Sequence, residues 1–170
     1  MTEQTVADAR EAFESHEAFE QIDDGFRVET TVFDATATAA ETDGWKLRYE
    51  VSVTVPTLSA AVAGDAVGSA VESGWLDTFE RRLEDAPTST RASVDLSAFA
   101  VESDDETIDV IFAYEFGDPE RAVEIAKTFV EYVEGTYVEG IVPGYEYESP
   151  VADLVRNAQQ GEGGAGGTPL

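Results

Sequence analysis

The segment "WKLRYEVSVTV", Trp45 to Val55, alternates without a break. Trp45, Leu47, Tyr49, Val51, Val53 and Val55 fall on one side, and Lys46, Arg48, Glu50, Ser52 and Thr54 on the other. Only an extended chain turns successive side chains to opposite faces, so the pattern demands a β-strand with one face buried and one face in water. A helix would scatter the same residues around its whole circumference. Asp43 and Gly44 supply a turn in front of it. Upstream, after the turn-like Asp23-Asp24-Gly25, "FRVETTVFDATATA" puts Phe26, Val28, Thr30 and Val32 on one face, which predicts the partner strand of a hairpin.

A second hairpin is predicted further on. "TRASVDLSAFA" sets Ala92, Val94, Leu96 and Ala98 facing one way, and Ile108, Val110, Phe112, Tyr114 and Phe116 alternate with Thr107, Asp109, Ile111, Ala113 and Glu115. The carboxylates Glu102, Asp104, Asp105, Glu106 and Asp109 fall where the first strand gives way to the second and run into its start, which places the acid cluster at the turn.

Helical spacing occupies the intervals. Thr5 caps a predicted helix with the stripe Val6, Ala9, Ala12 and Phe13, Asp8 completing a capping box, and an end near Ser15 or His16. After Pro56 and a run of small residues, Val67, Val71, Trp75, Phe79 and Leu83 recur every four residues and predict a helix that stops before Pro87. Gly68 and Gly74 weaken it, by up to about 1 kcal/mol each relative to alanine. Gly117 ends the last strand, and Asp118 and Pro119 suit the cap and first position of a helix presenting Ala122, Ile125, Ala126, Phe129, Val133 and Tyr137. "GIVPGYEYESP" is an irregular return, and a short final helix is expected through Val151, Leu154 and Val155.

The expected architecture is α+β, a two-layer sandwich in order αββαββα. Its antiparallel sheet is built from two hairpins with helices on one face. Two strand-strand-helix units follow one another, with Gly64-Asp65 before one helix and Gly117-Asp118 before the other, a weak sign of duplication. At 170 residues the chain fits one domain, residues 1–157, followed by a disordered glycine-rich tail, 158–170.

Charge narrows the function. Acidic residues number 36 against 10 basic ones, a formal net charge of -26, and the closest basic pair, Arg81 and Arg82, sits among Glu80, Glu84 and Asp85. Such a surface repels phosphate backbones and anionic lipid, so neither nucleic acid nor a membrane is an expected partner. The acids interrupt regular apolar periodicity instead of replacing it, which marks a folded domain. Lysine is scarce, with Lys46 and Lys127 alone, and alanine, valine and threonine abound, as in proteins adapted to molar salt. There the Debye length is about 3 Å and a dense negative surface costs little. A start with no basic segment ahead of an apolar run, and no long apolar window later, leads us to expect a cytoplasmic protein.

Motifs for chemistry are scarce. There is no cysteine. An EF-hand counted from Asp104 would reach Asp109 at its sixth position, where glycine is needed, and Glu115 at its twelfth. His16 is the single histidine, too little for a zinc site or a Ser-His-Asp triad, and a structural role near a helix end is expected of it. "GEGGAGG" lacks the lysine and following helix of a phosphate loop. We therefore expect no catalytic, cofactor-binding or metal residue and no cofactor. Tyr137, Tyr145 and Tyr147 in and beside the return segment could line a groove or interface.

The segments "HEAFE", "TTVFDATATA", "VSVTVPTLSAAV", "GWLDTFERRLEDAP" and "EYVEGTYVEGIVPGYEYESPV" resemble an uncharacterised family of small proteins from haloarchaea, over about Thr5 to Asn157. The resemblance carries no known activity and transfers no functional residue. The element order also resembles the type III secretion chaperone-like fold of sensory-transduction-regulator-like proteins, a likeness of topology alone. The expectation is a non-enzymatic protein-binding or adaptor domain, with a protein partner or a homodimer. The alternative is a small-molecule-binding protein or small enzyme using carboxylates with Tyr145 or Tyr147.

Overall fold

The computed structural model describes residues 5–64 and 66–166. Six antiparallel strands form one open sheet: β1 (Phe19–Ile22), β2 (Gly25–Val28), β3 (Asp34–Ala40), β4 (Leu47–Pro56), β5 (Leu96–Ser103) and β6 (Thr107–Phe116), in spatial order β1-β2-β3-β4-β6-β5. Five α-helices accompany them: α1 (Val6–Glu14), α2 (Leu58–Ala61), α3 (Ser69–Leu83), α4 (Pro119–Glu139) and α5 (Val151–Gly166), with a 3₁₀ turn at Ala86–Ser89. Mixed helix and antiparallel sheet make the class α+β.

The order αββαββα requires correction. The strand expected from Phe26 to Val32 ends at Val28; a bend over residues 29–33 buries Phe33 and leaves Val32 44% exposed. Glu134 of α4 pins the bend by accepting the Val32 amide at 2.8 Å. Phe19–Ile22 forms a strand that the sequence pattern does not predict, so the first hairpin is a four-stranded meander. The small-residue run after Pro56 contains α2, capped twice. Thr57 accepts the Ala60 amide at 3.1 Å, and the carboxylate of Glu72 on α3 accepts the Leu58 and Ser59 amides at 3.1 and 2.8 Å. The first unit thus carries four strands, and α3 starts at Ser69 after Gly68, not directly after Gly64-Asp65, whose Asp65 lies outside the described residues. No duplication survives that comparison.

Other expectations hold in detail. Thr5 and Asp8 form the capping box of α1. Asp118 caps α4 by accepting the Glu120 amide at 3.0 Å, with Pro119 in its first turn. The final helix, expected to be short and to run through Val155, instead spans Val151–Gly166 as α5 and enters the segment 158–170 expected to be disordered, of which residues 167–170 lie outside the described residues.

The core lies between one sheet face and the helices. Leu47, Tyr49, Val51, Val53 and Val55 of β4, together with Ile108, Val110, Phe112 and Tyr114 of β6, are at most 2% exposed. The helix α4 crosses this face with Ala122, Ile125, Ala126, Phe129 and Val133. At one end Phe13 of α1 stacks on Phe26 (4.7 Å, 15°) and meets Phe19 edge-on (5.0 Å). At the other, Trp75 and Phe79 of α3 pack on Tyr137.

Besides Val32, three predicted inner positions are not core: Trp45, Ala98, and Val71, which is 41% exposed on α3. Trp45 lies beyond the last β4–β6 pair, Leu47↔Phe116, and is 47% exposed, its ring folded over Gly117. In β5 a bulge between Leu96 and Ala98 inserts Ser97 as an unpaired residue. A bulge reverses the alternation. Phe99 and Val101, not Ala98, therefore share the inner face with Phe112 and Val110.

Candidate functional site

The acid cluster is a hairpin turn built by one of its own members. Asp104 accepts the Glu106 and Thr107 amides at 2.8 and 2.7 Å, and its own amide donates to the Thr107 carbonyl at 2.9 Å. Those amides of Thr107 and Glu106 hold the Asp104 carboxyl below the ordinary carboxylate range. Thr57 ties the turn to the start of α2 through the carbonyls of Glu106 (3.0 Å) and Asp105 (3.2 Å). Asp109 accepts the Thr54 hydroxyl at 2.7 Å across the sheet. Among the described residues no three carboxylates or imidazoles converge as a metal ion would need.

His16 joins two elements. Its Nδ1 accepts the Ala18 amide at 3.1 Å, which leaves the ring proton on Nε2, and Nε2 donates to Glu124 of α4 at 2.5 Å. The imidazole therefore clamps the end of α1 to α4.

The return segment is stitched to α2. Val62 bridges Tyr147, the Ala63 amide donates to the Glu146 carbonyl and the Glu148 amide to the Ala61 carbonyl, both at 2.8 Å. Tyr147 donates its hydroxyl to the Val142 carbonyl at 2.5 Å, and Tyr137, fully buried, donates to the Pro56 carbonyl at 3.0 Å. Burial raises the pKa of both phenols. Tyr145 packs half-buried against the core. These tyrosines hold the segment on the body of the domain.

The surface that remains uncommitted is the sheet face turned away from the helices. Register across β3-β4-β6-β5 aligns Thr36, Ser52, Ile111 and Ala100 in one row and Thr38, Glu50, Ala113 and Ala98 in the next. The flanking row is Asp34, Thr54, Asp109 and Glu102, and Arg48 and Glu115 pair on the other side. With strands about 4.8 Å apart, the four span about 14 Å. A central band of mostly uncharged side chains, interrupted by Glu50 and with Ala113 buried among its neighbours, is bordered by carboxylates, and the helices pack on the opposite face. Sequence alternation identified the outward residues of β4 and β6. It could not tell that they lie in line with Thr36 and Ala100, because pairing order is a property of the whole sheet.

An α+β domain with one covered and one open sheet face is the class these features define. Residues 14–157 match the model of a family of unknown function, DUF5813, and the chain belongs to that family. No curated protein and no solved structure matches it. Among the described residues no helix is long and apolar enough to cross a membrane.

Proposed function

We propose that this is a non-enzymatic protein-binding domain of a salt-adapted haloarchaeal cytoplasm, and that its binding surface is the open sheet face. The observation that carries the reading is the uncovered row Thr36-Ser52-Ile111-Ala100 with carboxylates on both sides. Sheets of this class normally bury one face and solvate the other with long polar side chains. Here the centre of the open face is weakly polar, with Ile111 between the short side chains of Ser52 and Ala100, so a partner gains apolar contact with little side-chain entropy to lose. The groups best suited to chemistry, His16, Asp104, Glu72 and Tyr147, are engaged in holding elements together, which supports binding over catalysis.

The occupant is a different protein with a basic rim. A second copy would bring Asp34, Glu50, Glu102, Asp109 and Glu115 against their own equivalents, and ions screen poorly at contact distance even in molar salt. Arginine or lysine opposite those carboxylates would instead form ion pairs.

The test is affinity capture in molar potassium chloride with the wild type and with Ile111→Glu, which adds a charge to the centre of the face without touching the core. Near-stoichiometric recovery of one protein by the wild type and its loss with the variant is the expected result. Recovery unchanged by the variant, or recovery of the bait alone, would overturn the reading. Light scattering that shows a dimer abolished by Ile111→Glu would reassign the face to self-association.

A further inference from the structure

We infer that the free edge of β5 pairs with the same edge of a second copy of this chain, antiparallel and about a twofold axis at Ala100, so that the two sheets join into one. The strand β5 is the outer strand of its sheet, and β6 is the one element that runs along it among the described residues. The hairpin turn fixes which backbone groups face outward. The Asp104 amide donates to the Thr107 carbonyl at 2.9 Å, so these two residues are a hydrogen-bonded pair. Such pairs alternate with non-hydrogen-bonded ones along an antiparallel ladder. Through the register Glu102↔Asp109, Ala100↔Ile111 and Ala98↔Ala113, the amides and carbonyls of Glu102, Ala100 and Ala98 therefore turn to β6. Those of Phe99, Val101 and Ser103 turn away from it, and no group among the described residues bonds to them. Donors and acceptors at that spacing suit one kind of partner, another extended strand.

The edge is also unguarded. Sheet edges are normally blunted by shortness, charge, lysine or proline. The opposite edge, β1, has four residues, with Glu20 and Gln21 exposed. In contrast, β5 has eight, and past the bulge at Ser97 it runs regularly from Ala98 to Ser103 without proline or lysine. In a chain with 36 acidic residues among 170, the stretch from Leu96 to Val101 carries no charge. Phe99 and Val101 are only half-buried against the core, so a partner strand has apolar surface left to cover.

Self-complementarity identifies the occupant. An axis at Glu102 would set two carboxylates face to face, and one at Val101 would set Phe99 opposite Ser103. An axis at Ala100 exchanges hydrogen bonds between Phe99 of one copy and Val101 of the other, twice, and packs an aromatic ring beside a β-branched side chain, a favourable cross-strand pair. Glu102 then faces the second copy's Ala98, and within the strand no acid opposes an acid. The row Thr36-Ser52-Ile111-Ala100 continues into its counterpart across the axis. Pairing uses the backbone of the edge, so it does not depend on what binds the open face.

Light scattering and sedimentation of the full chain in molar potassium chloride test this. The expected result is a dimer that dissociates reversibly on dilution. Val101→Pro removes an outward amide while leaving the β5–β6 ladder whole, and should leave only monomer. Ala98→Glu changes an exposed residue and places a carboxylate opposite the second copy's Glu102, twice by symmetry. It should weaken the dimer about tenfold, from two like-charge pairs of about 0.7 kcal/mol each. Adding Glu102→Lys to Ala98→Glu should restore wild-type affinity, because the two positions lie about 13 Å apart along one strand and face each other only across this axis. A wild type that stays monomeric at every concentration, a dimer indifferent to Val101→Pro or to Ala98→Glu, or no recovery in the double variant would each overturn the proposal. So would a dimer lost with Ile111→Glu but kept in Val101→Pro, which would put self-association on the open face, or a monomer whose captured partner is lost with Val101→Pro, which would give the edge to another protein's strand.

Discussion

Tyr49 and Tyr114 stand side by side on neighbouring strands, rings stacked at 5.5 Å and 18°, both with no exposed surface, yet removing the hydroxyl should have opposite effects at the two positions. The Tyr114 hydroxyl donates to the Ala122 carbonyl at 2.7 Å in a fully buried setting, whereas the Tyr49 hydroxyl has no partner among the described residues. Tyr114→Phe loses a good buried hydrogen bond, a net loss of about 1 to 1.5 kcal/mol, since the carbonyl keeps a helical acceptor role in α4. Tyr49→Phe removes a buried polar group that costs about 1 to 3 kcal/mol unpaired, offset by a few tenths for the void at about 24 cal/mol per Å³. We expect it to stabilise by about 1 kcal/mol. The gap of about 2 kcal/mol corresponds to about 4 to 8 °C in Tm for a domain of this size. Thermal and urea unfolding followed by circular dichroism at one fixed salt concentration measures both variants, with an unchanged urea slope confirming that the unfolded state is the same. If Tyr49→Phe destabilises as much as Tyr114→Phe, the Tyr49 hydroxyl is hydrogen-bonded in solution and carries no burial penalty to relieve.

Three further outcomes follow from the same structure. With a net charge of -26, the urea midpoint should rise steadily from 0.1 to 2 M potassium chloride as screening shortens from about 10 Å to below 3 Å; a flat profile would refute salt adaptation. Burial raises the phenol pKa of Tyr49, Tyr114 and Tyr137 above the ordinary 10. Their contribution to stability is therefore complete below pH 10 and lost above it, as unfolded phenols ionise while buried ones keep their protons, by up to about 1.4 kcal/mol per pH unit for each. Unfolding at pH 9 to 12 should show this slope, and Tyr137→Phe should reduce it. Gly25 has φ +148°, and a Cβ there would meet the Ala37 carbonyl oxygen at 2.7 Å and Thr38 Cγ2 at 2.8 Å. Gly25→Ala should cost about 1 to 3 kcal/mol and speed amide exchange in β1 and β2, whereas wild-type exchange there would show that the hairpin absorbs the clash.

How much was legible depended on how local each signal was. The capping box at Thr5 and Asp8, the cap at Asp118 and Pro119, and the turn at Asp104 involve residues two to three apart, and all were readable directly. The alternation of β4 and β6 was readable for the same reason. Trp45 continued that alternation and was still misplaced, because β6 ends at Phe116 and no partner extends the ladder to it. The bulge at Ser97 leaves no local mark, since nothing in "VDLSAFA" distinguishes a bulged strand from a regular one; the choice rests on matching Phe99 to Phe112 across the pair. Strand β1 and helix α2, each four residues long, are too short for periodicity to register. The open sheet face left only a fragment in the sequence, the outward residues of two strands.

By itself the sequence determined the α+β class, the faces of the two longest strands, the caps that start α1 and α4 and a strongly acidic net charge, because backbone geometry and charge act over a few residues or by simple summation. Only the tertiary structure decided that β4 lies beside β6, that Thr36, Ser52, Ile111 and Ala100 share a row, and that Trp75 packs against Phe79 and Tyr137. Those are meetings of residues far apart in the chain, selected by which packing buries the most apolar surface at once, and no local pattern encodes them.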